Sequence, residues 1–295
     1  MGSSFNILSN NSVSISGVKT TSYPASLYLK SSSNNNLISN TTITNSGDYY
    51  ALYLDSVNNN SFENCVINAP SAQDIYIVGT NSYTNYIINS TFNQSDVGFS
   101  DENQTDKIEV QWYLDIYVNS SSGKPINQAN VTGSQQNGSQ AFSELTASNG
   151  YLRQTLTEYS HNASQVYPEN VTYYTPYTIN ASKEGYHANS TEINLTQSLA
   201  IYLTLEGIPP VINWIVPAND NSTVVNGTLV HNITFEDEYL YLVKCVIYNS
   251  TGGIVWESEV YNLTGNTSWT LTDMVNVSNW TDGIYYENCT VTDLD

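Results

Sequence analysis

Four carboxylates fall where a repeating chain would bring them near one another: Asp48, Asp55, Glu63 and Asp74. Paired carboxylates are the equipment of glycoside cleavage, one protonating the leaving oxygen while the other activates water or attacks the sugar. A lyase acting on acidic sugars would also need a cation at the substrate. Lys30 is the only Lys or Arg between Lys19 and Lys107. None of the four acids recurs at one position of the repeat described below, so they read as solvated loop acids. His161, His187 and His231 are scattered, without metal-ligand spacing. His231 could gather with Cys245 and Cys289, but a core histidine beside two core or bonded cysteines is the simpler reading. Neither a Ser-His-Asp set, a phosphate loop nor a dinucleotide fingerprint is present. The sequence therefore assigns no catalytic, cofactor-binding or metal-ligating residue, and the expectation is a protein that is not an enzyme.

The chemistry that the sequence does carry is that of Asn. Asn-x-Ser/Thr sequons occupy 23 of 39 Asn, whereas the 67 Ser and Thr in 295 residues predict about 9 by chance. Beyond residue 160, 14 of 16 Asn head a sequon, Asn213 and Asn219 being the exceptions. Such enrichment points to an extracytoplasmic glycoprotein, with N-linked glycans as its only expected non-protein groups. The expected acceptors are Asn103, Asn119, Asn137, Asn162, Asn170, Asn189, Asn194, Asn221, Asn226, Asn249, Asn262, Asn266, Asn276 and Asn279.

Composition agrees. Charged residues are 12% of the chain, about half the usual share, and 7 Lys and Arg stand against 27 Asp and Glu for a net charge of −20. There is no cationic surface for nucleic acid or for an anionic membrane. The 24 Tyr against 6 Phe, with Asn, Ser and Thr, favour exposed β structure. No run of 18 apolar residues could span a bilayer, so no membrane insertion is expected within this chain. Met1-Gly2-Ser3-Ser4-Phe5 lacks the basic and apolar regions of a signal peptide. A surface protein would then be represented here by an excised segment.

The elements that would position these groups begin with a repeat. Apolar-x-Asn-x-x-apolar occurs as Leu8-Ser9-Asn10…Val13, Ile38-Ser39-Asn40…Ile43, Phe62-Glu63-Asn64…Ile67 and Ile87-Ile88-Asn89…Phe92, with steps of 30, 24 and 25 residues. A second block recurs as Leu27-Tyr28-Leu29, Leu52-Tyr53-Leu54 and Ile75-Tyr76-Ile77. Each period holds short strands of alternating pattern separated by polar breakers. Such a period without helices suits stacked β coils. It resembles the right-handed parallel β-helix repeats of NosD-type surface and periplasmic proteins and, more distantly, pectate lyases. The longer first step fits an insertion at Gly17–Tyr23. Asn10, Asn40, Asn64 and Asn89 are expected to form an inward ladder bonding the backbone, with Leu8, Ile38, Phe62 and Ile87 stacked inside. Inward Asn10, Asn40 and Asn89 would be poor glycan acceptors. Tyr28, Tyr53 and Tyr76 lie between inward apolar residues and would line an outer sheet on which sugars could stack. Met1 falls inside the first coil without a capping helix, as though a longer solenoid had been cut.

The alternating strand Ile108–Val118 opens a different pattern, continued by Gly123-Lys124-Pro125-Ile126, Ala129-Asn130-Val131 and Asn149-Gly150-Tyr151. This resembles the carboxypeptidase regulatory-like (transthyretin-like) β-sandwich, which implies a spacer or accessory module. After the stiff Glu206-Gly207-Ile208-Pro209-Pro210, short strands with turn signals every 8–12 residues and the close Asp282-Gly283-Ile284-Tyr285…Cys289-Thr290-Val291-Thr292-Asp293 resemble the tandem Ig-like modules of archaeal and bacterial surface proteins. The expected fold is thus all-β: a short right-handed parallel β-helix over residues 1–101, a carboxypeptidase regulatory-like sandwich over 102–207 and an Ig-like sandwich over 208–295. The last Ig strand would be missing, leaving an open edge at residues 285–292 for the parent chain or a neighbouring subunit.

In that Ig-like frame Cys245 and Cys289 would sit on neighbouring strands, and either a cross-strand disulfide or free thiols would satisfy them; Cys65 should stay alone. The whole reads as a segment of an archaeal-type surface glycoprotein, extracellular, at the cell surface and non-catalytic, with a structural or adhesive role. Two alternatives stand: a polysaccharide-acting or carbohydrate-binding β-helix protein, and a subunit of an extracellular filament or lattice. Its partners would be a surface polysaccharide or neighbouring surface-protein subunits.

Overall fold

Short alternating apolar runs between Asn- and Ser-rich corners favour strands, and in the computed structural model the chain is nearly all β. The residues described are 6–15, 25–30, 33–79, 84–100, 106–163, 171–216, 227–237 and 240–293. The chain divides into two compact units. One comprises Met1–Tyr117, Asn130–Asn180 and Ser190–Leu203; the other Val118–Ala129, Ala181–Asn189 and Thr204–Asp295.

The first unit starts with a three-strand set repeated along the chain. The strands are β1 (Ile7–Ser9), β2 (Ser12–Ile15), β3 (Ala25–Lys30), β4 (Leu37–Ser39), β5 (Thr42–Asn45), β6 (Tyr50–Asp55), β7 (Ser61–Glu63), β8 (Val66–Asn68), β9 (Ile75–Val78), β10 (Thr84–Ile88) and β11 (Val97–Phe99). They form three parallel sheets, β1-β4-β7-β10, β2-β5-β8 and β3-β6-β9-β11. In the first, Leu8 pairs Ile38, Ile38 pairs Phe62 and Phe62 pairs Ile87. In the third, Tyr28, Tyr53, Tyr76 and Gly98 stand in one row. Ile38, Phe62 and Ile87 are buried to 3% exposure or less and share one core with Leu52, Leu54, Ile75 and Ile77. Each such side chain contributes roughly 1.5–3 kcal/mol by leaving water.

The corners revise the expected ladder. Asn10, Asn40, Asn64 and Asn89 have φ of 59°, 49°, 53° and 45°, the left-handed region that Asn tolerates better than most residues. Their side chains face outward: Asn10, Asn40 and Asn64 are exposed and Asn89 half-buried, its Nδ2 donating to Asn64 Oδ1 at 2.6 Å. At the last three corners the left-handed residue swings the chain so that its successor points in, and Thr41, Cys65 and Ser90 are buried, whereas Asn11 is exposed. The inward amide ladder lies four residues earlier. Asn36 Nδ2 donates to Asn60 Oδ1 at 2.8 Å, and Asn60 Nδ2 to Asn85 Oδ1 at 3.0 Å. The same oxygens accept from the backbone N–H of Asn36 and Asn60.

β12 (Lys107–Ser120) adds to β10 in parallel, with Ile87 beside Val110. β13 (Asn130–Ser134), β14 (Gln140–Leu145), β15 (Tyr151–Asn162), β16 (Val171–Tyr173), β17 (Tyr177–Ser182), β18 (Tyr186–His187), β19 (Asn189–Ile193) and β20 (Leu199–Gly207) follow. β15 pairs antiparallel with β12, β16 with β15, and β14-β13-β17-β19 form a further sheet. Ile108, Val110 and Tyr159 belong to the core of the repeats. One sheet and one core therefore run on past residue 101.

In the second unit β21 (Val211–Val216), β22 (Thr228–Glu236) and β26 (Ser268–Asn276) make one sheet. β23 (Leu240–Asn249), β24 (Ile254–Glu257), β25 (Tyr261–Asn262) and β27 (Tyr285–Asp293) make the other. Ile233, Phe235 and Leu271 from the first sheet pack on Leu240, Val243, Cys245 and Cys289 from the second, which makes this part a β-sandwich.

Candidate functional site

The sequons separate from the buried asparagines. Six Asn lie outside the described residues, among them the expected acceptors Asn103, Asn170, Asn221 and Asn226; the remaining 33 are described. Nineteen of these 33 head a sequon, and none of the nineteen is buried. Of the other fourteen, four are buried: Asn36, Asn45, Asn60 and Asn85. Asn137, Asn189, Asn194, Asn262, Asn266, Asn276 and Asn279 are exposed; Asn119, Asn162 and Asn249 are half-buried. At several sites the sequon folds as a turn closed by the Asn side chain. Asn137 Oδ1 accepts from Ser139 N, Asn249 Oδ1 from Thr251 N, Asn262 Oδ1 from Thr264 N and Asn276 Oδ1 from Ser278 N, at 2.9–3.1 Å. That turn spends the amide oxygen and leaves the amide nitrogen, the atom a glycan would take, outside the hydrogen bond that closes it.

The tyrosine row is half-buried, and its rings engage one another. Tyr50 stacks on Tyr76 at 4.3 Å and 3°, and Tyr28 meets Tyr53 edge-on at 5.0 Å. The Tyr76 ring also covers Gly98, where an added Cβ would lie 2.7 Å from Tyr76 Cδ2. Tyr28 donates its hydroxyl to Asp55 at 2.8 Å, and its pKa is pushed up to about 12 by burial and by that carboxylate. Rings packed in this way stiffen the outer sheet.

The four candidate carboxylates are not brought together. Asp48 is exposed, and Asp55 accepts from Tyr28 and Ser56. Glu63 accepts from the Tyr113 hydroxyl. Asp74 is buried at 2% and accepts backbone N–H bonds from Ala69 at 2.6 Å and Asn93 at 2.7 Å, so it pins a corner. Burial still holds its pKa above the ordinary value. His161 is buried against Phe99, and His187 is exposed.

The concentrated chemistry lies inside the sandwich. Cys245 and Cys289 pair directly across β23 and β27 and are joined as a disulfide. Glu287, two residues before Cys289 on β27, points to the same face. Its carboxylate and the two sulfurs all lie within 4.8 Å of one another. From the facing sheet His231, 0% exposed, places Nε2 3.2 Å from Glu287 Oε1, with Trp256 edge-on to its ring. The pair is close but off the line of a hydrogen bond: both ring nitrogens and both carboxylate oxygens are buried without one. Burial pushes Glu287 up to about 7 and His231 down, Asp273 opposing the latter. Sequence reasoning grouped His231 with the cysteines and missed Glu287. The two-residue spacing from Cys289 was the signal that could have found it.

No known family profile matches the chain, and no curated protein sequence matches it. Among solved structures, it is similar to BcpA*(D312A), the major pilin subunit of Bacillus cereus, at 10% identity over 62% of this chain and 68% of that one, with a TM-score of 0.29. It is similar to the Bacillus anthracis TIE protein at 13% identity over 64% and 32% of the two chains, TM-score 0.29. The shaft pilin SpaA of Lactobacillus rhamnosus GG aligns at 14% identity over 63% and 93%, TM-score 0.26. Superposition at this level carries no conclusion about the fold or role of this chain. No described helix is long and apolar enough to cross a membrane.

Proposed function

We propose that this chain is a non-catalytic, N-glycosylated structural segment of an extracellular surface protein, whose glycans supply the hydration that its few charges do not. In this reading the three parallel sheets are faces of a parallel β-helix with turns of 22–30 residues, and the C-terminal sandwich is Ig-like. The observation that carries it is the partition of asparagine: the described sequons all reach the surface, and the buried amides all lack Ser or Thr two residues on. Three of the four buried amides occupy one repeat position, followed two residues on by the inward Ile38, Phe62 or Ile87, so the weight of the reading rests on nineteen described sequons of which none is buried. Glycopeptide mapping of the protein from its producing cells tests the reading. Occupancy is expected at Asn137, Asn189, Asn194, Asn262, Asn266, Asn276 and Asn279. A mass equal to the bare 32.7 kDa polypeptide would overturn it.

A second reading, a filament or lattice subunit, is favoured by one feature. β27 pairs with β23 on one side and has no strand partner on its other side among the described residues. Such an edge accepts an added strand. Light scattering on the purified chain decides it: self-association expected of a subunit must be lost, with circular dichroism unchanged, when Pro replaces Val291, whose N–H faces away from β23.

A further inference from the structure

Two polar side chains in the sandwich core face each other at 3.2 Å without a hydrogen bond in the disulfide state. His231 and Glu287 are buried without hydrogen bonds, and the closed disulfide beside them offers nothing to bond. Burying such groups unsatisfied is costly. A packing role alone would be met better by apolar residues of the same size. Ligand chemistry accounts for both. We infer that the reduced chain holds a zinc ion at this position, with Cys245, Cys289, His231 and Glu287 as a four-coordinate ligand set.

The donors are those zinc takes: two thiolates, one imidazole and one carboxylate, at bonds of about 2.0–2.3 Å that put neighbouring ligand atoms about 3–4 Å apart. The sulfurs and the carboxylate already lie within 4.8 Å of one another, and His231 Nε2 is 3.2 Å from that carboxylate. Three of the four ligands are grouped without the metal, and His231, outside that group, must draw toward the sulfurs to complete the set. Cys245 and Cys289 are register partners, Glu287 shares the inward face of β27, and His231 comes from β22 opposite. Opening the disulfide frees two sulfurs to move apart and turns an inert link into two ligands. The change is balanced: a reductant of the phosphine or dithiol class supplies two electrons, two protons come from solvent, and two thiols form. Zinc then displaces both thiol protons to solvent. The same point of the sandwich is therefore cross-linked in either redox state, by a covalent bond under oxidising conditions and by metal under reducing ones. Reoxidation would expel the ion.

The test uses the full chain carrying Cys65→Ser, so that only this cysteine pair can respond, reduced with a phosphine and titrated with Co2+ as a spectroscopic stand-in for zinc. The expected result is one Co2+ per chain, with a thiolate charge-transfer band and the strong visible bands of a tetrahedral site, displaced by Zn2+. The oxidised chain should show neither. Glu287→Gln and His231→Gln should each weaken binding about tenfold or more while circular dichroism stays unchanged. Should reduction loosen the sandwich, Zn2+ must raise its Tm. A reduced chain with two titratable thiols that binds no Co2+ and gains no Tm from Zn2+ overturns the inference. Equal affinity in both substituted chains overturns it too.

Discussion

Replacing Asn60 by Ala tests the inner ladder directly. Asn60 is 0% exposed; its Oδ1 accepts from the backbone N–H and the Nδ2 of Asn36, and its Nδ2 donates to Asn85 Oδ1. Truncation strands two buried donors on Asn36 and removes one of the donors reaching Asn85. Each buried group left unsatisfied costs roughly 1–3 kcal/mol, so the two donors together set a loss of about 3–4 kcal/mol in the first unit. The contrast is Asn64→Gly. Asn64 is exposed and left-handed at φ 53°, a backbone that Gly adopts freely, so the expected change is about 0–1 kcal/mol. Both Asn recur at the same period, so the comparison isolates orientation. The tryptophans of the two units overlap in fluorescence; hydrogen exchange of peptides from residues 33–69, followed by mass, reads the first unit alone. The reasoning is refuted if Asn60→Ala costs less than about 1 kcal/mol, or if Asn64→Gly costs more than Asn60→Ala.

Glu158 is buried, which raises its pKa, while Trp112 Nε1 donates to its Oε2 at 2.6 Å. A carboxyl with a raised folded-state pKa stabilises most at low pH, and that contribution is lost as pH rises through the folded value. Glu158→Gln keeps an acceptor for Trp112, so calorimetry should show a flatter Tm from the ordinary carboxylate range up to pH 8; an unchanged slope would count against it. Cys65 sits where the neighbouring repeats place Thr41 and Ser90, its thiol pKa raised by burial. Cys65→Ser should therefore change stability by less than about 1.5 kcal/mol, and the native thiol should resist labelling by an aromatic disulfide reagent; fast labelling of folded protein would contradict its placement. Gly98→Ala should cost about 1–3 kcal/mol by driving a Cβ into the Tyr76 ring. That cost should largely vanish in a Tyr76→Ala background, and a double-mutant cycle showing no coupling would reject the contact.

Sequence alone determined the parts of this protein that follow from period and alternation. Steps of 24 and 25 residues placed Ile38, Phe62 and Ile87 in one interior column, and steps of 25 and 23 placed Tyr28, Tyr53 and Tyr76 in one outer row, because side-chain direction in a strand alternates with a period of two. It likewise put Cys245 and Cys289 on strands that could meet. What period could not tell was which asparagine faces in. Asn36, Asn60 and Asn85 repeat at the same steps as Asn40, Asn64 and Asn89. Corners obey no two-residue rule; a single left-handed residue reverses the direction of its successor, and that torsion exists only once the chain has closed its turn. The sheet that runs on from β10 to β12 was hidden for a related reason: pairing partners are chosen in space, and a change of sequence pattern at residue 101 need not end a sheet. The meeting of His231 with Glu287 was furthest from reach. They lie 56 residues apart on different sheets, and only the packing of one sheet on the other puts 3.2 Å between them.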